Sequence, residues 1–206
     1  MMLKKVFDID NPIMQGLATA FDLMLLNILA LIAALPVITA GASLVAAFDV
    51  SQRLLRSEDI YVAKTFFLSF RQNLKNGMIT GLIFLTATVL IVLNYYAAKE
   101  FIPVLRYFSL ALGLLLLAVA IYTFALEARF ENSIKNTMAN AVKLMTGYFP
   151  RTLIMLIITL SCYLMSMNFP QIGMPLLMLF GLSLPVYICS YISGPIIESL
   201  KSEENE

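Results

Sequence analysis

Apolar residues run in long blocks along this chain, and polar residues collect between the blocks instead of recurring every three or four positions. Blocks at 17–38, 77–95, 104–126, 150–167 and 173–193 each approach the roughly twenty residues needed to cross a hydrocarbon core about 30 Å thick. The pattern predicts an all-α, polytopic transmembrane helix bundle of about five spans, forming a single integral membrane domain over 1–206.

The opening is polar on one side. Asn11 can cap free helix amides and Pro12 suits the first helical position, so a helix is expected to start there. Asn11, Gln15, Thr19 and Asp22 then share one face, opposite Met14, Leu17, Ala18 and Phe21, which predicts an interfacial entry. From 23–38 only Asn27 and Pro36 interrupt the apolar run. The string Leu35-Pro36-Val37-Ile38-Thr39-Ala40-Gly41 predicts a break, because proline removes an amide donor and glycine tolerates unusual backbone shapes. Residues 42–49 are too short to span, and read either as a second short helix or as the returning arm of a re-entrant hairpin. Five full spans put the N-terminus outside; a hairpin at 36–41 brings it inside. Near the other end Gly194-Pro195 predicts a helix stop, and 199–206 an acidic, disordered tail.

Charge orders these blocks across a membrane. The stretch 51–76 carries Arg53, Arg56, Lys64, Arg71 and Lys75, and 127–151 carries Arg129, Lys135, Lys143 and Arg151. The intervening connections hold only Lys99 and Arg106, or no cation at all at 168–172. The positive-inside rule therefore places 51–76, 127–151 and the C-terminus in the cytoplasm of a multi-pass cell-membrane protein. Within the basic stretches Ser69-Phe70-Arg71-Gln72-Asn73-Leu74-Lys75-Asn76-Gly77 echoes Ser133-Ile134-Lys135-Asn136-Thr137-Met138-Ala139-Asn140-Ala141. One reading is a duplicated unit, each copy an interfacial helix leading into a span; the other is convergence of two amphipathic linkers. Either way Ser69, Arg71, Asn73, Lys75, Ser133 and Lys135 mark a candidate cytoplasmic interface, with Arg71 and Lys75 on one helical face.

Composition agrees with a lipid setting: 60% of residues are hydrophobic and 13% charged. A net charge of +1 gives no bulk electrostatic case for nucleic acid. Lys4 and Lys5 resemble the start of a signal peptide, but Asp8, Asp10 and Asp22 interrupt it, so no removable targeting segment is expected. Cys162 and Cys189 lie in apolar blocks, where a thiol acts as a small hydrophobe.

The chain has no histidine, which removes the commonest general base and neutral metal ligand. Two isolated cysteines make no zinc site, and no glycine-rich phosphate loop appears. The carboxylates Asp22, Asp49, Glu58, Asp59, Glu100, Glu127 and Glu131 sit near block ends without a paired-acid arrangement. A non-catalytic protein with no cofactor and no metal is expected. The candidate functional or packing positions are Asp22, Asn27, Pro36, Thr39 and Gly41. Asp22 and Asn27 are about 140° apart on a helix and do not share a face. Asn27 serves either a functional path or a bond to a neighbouring helix. The break at Pro36 to Gly41 is either a ligand-facing interruption or a bend.

Asp22-Leu23-Met24-Leu25-Leu26-Asn27, running on to the Pro36 break and preceded by Asn11-Pro12, resembles the opening signature of the YesL family of bacterial integral membrane proteins. Phe66-Phe67-Leu68-Ser69-Phe70-Arg71-Gln72-Asn73 resembles its second hallmark. Ala30 and Ala33 stand where similar sequences carry Trp or Cys, and this chain has no Trp. Members carry a domain of unknown function, so no site residue transfers. The resemblance implies an accessory or regulatory role in carbohydrate uptake, with a sugar-importer complex as partner; the apolar blocks make the lipid bilayer a partner, and the charge balance predicts no nucleic acid. The alternatives are a small-solute transporter or a lipid-facing scaffold. The oligomeric state is not encoded in any of these features.

Overall fold

The computed structural model describes residues 12–58, 60–101 and 103–204. The predicted cap Asn11, the cations Lys4 and Lys5, Asp59 and the last two residues of the tail lie outside them. Among the described residues there are nine α-helices and no strand: α1 Pro12–Ala34, α2 Ala40–Leu55, α3 Val62–Gln72, α4 Leu74–Phe101, α5 Pro103–Glu127, α6 Ile134–Gly147, α7 Phe149–Asn168, α8 Pro170–Phe180 and α9 Ser183–Glu204. The chain folds as an all-α bundle.

Four stretches are long and apolar enough to cross a membrane: Met14–Ala34, Leu74–Ala98, Val104–Glu127 and Phe149–Asn168. Their outward faces keep large apolar side chains exposed, among them Leu90, Leu93 and Ile157. So much contiguous apolar surface calls for lipid as its solvent.

The fifth span departs from the prediction. The block at 173–193 is two helices, Gly173–Phe180 and Ser183–Ser199, bent by 59°. Pro185 is the cause: it has no N–H for the Gly181 carbonyl four residues back, and its ring would collide with that carbonyl in a continuous helix. Placed near the start of α9, where amides lack helical partners anyway, Pro185 is accommodated. Gly194-Pro195 does not stop α9, which runs on to Glu204. Pro195 removes one ladder bond, but Ile196 and Ile197 just beyond it are both 2% exposed and hold the chain against the core. The described part of the predicted disordered tail, 199–204, is therefore helical.

The first break is narrower than predicted. α1 ends at Ala34 and not at 38, because the residue before a proline is pushed out of the helical region. One turn of 3-10 helix follows at Val37–Thr39. The Thr39 hydroxyl donates at 2.7 Å to the Ala33 carbonyl and lies 2.8 Å from that of Pro36, closing the end of α1. Gly41 lies beyond the break, inside the first turn of α2.

α2 is the most enclosed element: of residues 41–52 only Leu44 escapes full burial. Its start meets α4 backbone to backbone. A Cβ on Gly77 would sit 2.6 Å from Ala42 Cα, and one on Gly81 2.7 Å from Gly41 Cα, well inside contact distance. Gly77 and Gly81 form the small-xxx-small pattern that lets membrane helices touch. At its other end Gln52 Nε2 donates to the Ala125 carbonyl at 3.0 Å, in the last turns of α5. Both ends of α2 thus contact the end of the α4–α5 hairpin where Leu74 and Glu127 lie. Ser43 Oγ ties it to α1 through the Ala30 carbonyl at 2.8 Å.

α3 and α6 occupy the two basic stretches. Each buries one stripe at helical spacing, Val62, Phe66 and Ser69 in α3 and Thr137, Ala141 and Leu144 in α6. Each passes through a single residue, Asn73 or Tyr148, into a span. The sequence echo sets Ser69 against Ser133, but the structure puts Ser69 on the buried stripe near the end of α3 and Ser133 at the N-cap of α6. The arrangement recurs; the matched residues do not occupy equivalent places.

Candidate functional site: an amide clamp on the broken helix

Asn27 is fully buried, and it is aimed at the break between α8 and α9. Its position follows from α1: Leu23, Leu26 and Ala30 pack into the core, and Asn27 shares that buried side. The amide nitrogen donates to the Met178 carbonyl at 2.7 Å, with the Leu177 carbonyl at 3.5 Å. The amide oxygen accepts from the backbone N–H of Leu182 at 2.8 Å and of Ser183 at 3.1 Å. One side chain therefore closes the carbonyl end of α8 and the amide end of α9. The Gly181 carbonyl, which Pro185 cannot serve, accepts from the Tyr163 hydroxyl at 3.3 Å.

This satisfaction decides what the break can do. A ligand-binding interruption presents open backbone dipoles to a cavity; here these groups already hold protein partners. Beside the break a cavity of about 450 Å³ opens among Cys162, Phe169, Leu176, Phe180 and Leu184. Its walls are almost wholly apolar, which suits acyl chains better than a hydroxylated solute.

Asp22 is half-buried on α1 and forms no hydrogen bond or ion pair among the described residues. It and Asn27 do not meet. Pro36 and Thr39 form the α1–α2 turn, and Gly41 the close crossing with α4. At the basic end Asn73 folds its amide back onto the Ser69 carbonyl at 3.0 Å, bracing the α3–α4 joint. Arg71, Lys75, Ser133 and Lys135 are exposed. Arg53 pairs with Asp49 at 2.9 Å, and that hydrogen bond holds the guanidinium above its ordinary, already high, pKa.

The sequence reading passed over two features. Gly77 and Gly81 were visible as a GxxxG pair in an apolar run. Glu127 is 7% exposed, accepting from the Thr80 hydroxyl at 2.6 Å through one oxygen while the other has no partner. Its signal was an acid placed directly after the apolar block 104–126. Among the described residues no three His, Cys, Asp or Glu side chains cluster as a metal site.

Compared with known proteins, residues 23–95 match a family model described as "Protein of unknown function, DUF624". That match covers α1 from Leu23, the first break, α2, α3 and most of α4, and so includes Asn27 and the Gly41, Gly77 and Gly81 crossing. No curated protein matches the chain, and no solved structure matches it.

Proposed function

We propose that this chain is a non-catalytic membrane protein of the YesL type that serves a carbohydrate-uptake system as an accessory or regulatory subunit. The observation that carries the non-transport part is the Asn27 clamp. With the Met178 carbonyl and the Leu182 and Ser183 N–H groups held by Asn27 and the Gly181 carbonyl by Tyr163, these four backbone groups at the break are closed to a solute, and the Ser183 hydroxyl, which has no partner, is buried. The carbohydrate link rests on the likeness to the YesL family. A cytoplasmic placement of the basic end, with α3 and α6 as the docking face, follows from the excess of cations there. Absence of histidine and of a paired-acid arrangement supports a non-enzymatic role.

Crosslinking in native membranes, followed by identification of what copurifies, tests this reading. Importer subunits are the expected partners. Recovery of the protein alone counts against it, and saturable sugar flux into liposomes holding only this protein replaces it with the transporter reading.

A further inference from the structure

Where the last turn of α2, the turn after α5 and the second half of α9 meet, the structure holds a pocket of about 190 Å³. Gln52, Arg56, Arg129, Ser190, Tyr191 and Glu198 line it. Three features mark it as built to hold something polar. Ser190 is fully buried, yet its hydroxyl has no hydrogen-bond partner. Arg129 has no ion pair or hydrogen bond among the described residues. The Tyr191 carbonyl lacks its usual helical donor, since that position is Pro195. A buried hydroxyl is rarely left without a partner, so Ser190, with the half-buried Arg129 beside it, points to a ligand.

The charges narrow its chemistry. Arg56 turns Nε to Glu58 at 2.8 Å, which leaves Arg129 and Glu198 as the unopposed charges on the wall. An anion alone would face Glu198, and a cation alone would face two guanidinium groups. A ligand carrying both signs satisfies both. Guanidinium forks suit phosphate oxygens, while a carboxylate and a bare carbonyl suit an N–H-bearing ammonium. The pocket also opens beside Tyr191, which is 69% exposed, at the end of the bundle where Leu74 and Glu127, the ends of two candidate spans, lie.

We propose that this pocket binds a zwitterionic phosphate ester bearing a primary ammonium, the chemistry of a phosphoethanolamine headgroup. The phosphate lies on Arg129, the outer edge of Arg56 and the Ser190 hydroxyl. The ammonium lies on Glu198 and the Tyr191 carbonyl. The same chemistry is offered by a membrane lipid or by a soluble phosphoethanolamine. The pocket does not depend on a role in sugar uptake, so failure to copurify an importer and failure to bind the headgroup are separate results.

The test is a titration of the purified, detergent-solubilised protein with short-chain phosphatidylethanolamine, read as a saturable rise in Tm. Phosphatidylcholine, whose ammonium has no N–H, and phosphatidylglycerol, which has no cation, should each bind about tenfold more weakly. Arg129→Gln and Glu198→Gln should each lower affinity for phosphatidylethanolamine by about tenfold, and Lys143→Gln, away from the pocket, should not. Glu198 is exposed, so its replacement keeps the test valid if Arg129→Gln fails to fold. Competition by free O-phosphoethanolamine identifies a soluble source, and its absence a lipid one. Equal affinity for the three lipids, wild-type affinity in both variants, or no saturable binding overturns the proposal.

Discussion

Asn27 shows how much structural work one amide can do inside a membrane. Replacing it with Leu keeps the branched shape and removes hydrogen bonds to Met178, Leu182 and Ser183, leaving one buried and two part-buried backbone groups without partners. Unpaired groups of this kind cost about 1–3 kcal/mol each in water-soluble proteins, and side-chain bonds between membrane helices average less, so Asn27→Leu should destabilise by about 3 kcal/mol. Thermal melts in detergent measure this, and an unchanged Tm would remove the clamp from the account. At the end of α2, Ser57 holds a left-handed backbone with φ of 55°, while Glu58 N–H bonds the Arg53 carbonyl at 3.2 Å and Ser57 N–H that of Leu54 at 3.1 Å. Glycine usually fills that position of this helix-ending motif, so Ser57→Gly should raise stability by about 0.5–1 kcal/mol, reduced somewhat by the greater freedom of glycine in the unfolded chain. A fall in Tm would mean that the Ser57 side chain has a role its contacts do not show. The sequence marked Asn27 as an amide in an apolar run. Its partners lie in α8 and α9, far along the chain, and only tertiary packing could name them.

At the scale of elements, the decisive contact is the crossing of α2 over the start of α4. Gly81→Ala would place a methyl 2.7 Å from Gly41 Cα, against backbone that cannot rotate away. The helices must part, and overpacking of this kind costs about 1–3 kcal/mol. Gly16→Ala is the matching control, since a Cβ there meets nothing within 4 Å and alanine favours a helix interior by about 0.5–1 kcal/mol. The two substitutions should shift Tm in opposite directions; a fall of equal size in both would refute the close-crossing argument. The apolar blocks revealed the four uninterrupted spans because length and hydropathy are local properties. The bend in the fifth was less legible. Pro175, Pro185 and Pro195 all lie in or beside the block, and sequence does not say which one interrupts the helix. Pro195 stays inside α9 because Ile196 and Ile197 anchor the chain past it, whereas Pro185 coincides with the turn that Asn27 holds.

For the whole molecule, the basic stretches 51–76 and 127–151 converge on one end of the bundle. Gln52 bonds Ala125, Thr80 bonds Glu127, and Arg56, Arg129 and Glu198 line one pocket. The continuous helices α4 and α7 then carry the α4–α5 and α7–α8 connections to the opposite end. Cation asymmetry was readable along the chain, but this convergence depends on contacts between helices distant in sequence. Orientation in a membrane follows if the positive-inside rule holds for this bundle. With Cys162 and Cys189 first replaced by Ala, cysteines at Lys64 and Lys143 should react with a membrane-impermeant maleimide only after the cytoplasmic face is opened. Cysteines at Ala97 and Gln171 should react in intact cells. All four native side chains are exposed in the fold, so reactivity reports sidedness instead of burial. Labelling of all four from one side would contradict the membrane-crossing bundle itself, because each of the helices α4 and α7 separates the two pairs by at least twenty residues of helix, about 30 Å. The inverted pattern would leave the fold intact and place α3, α6 and the headgroup pocket on the outer face, removing the cytoplasmic docking surface proposed for an importer.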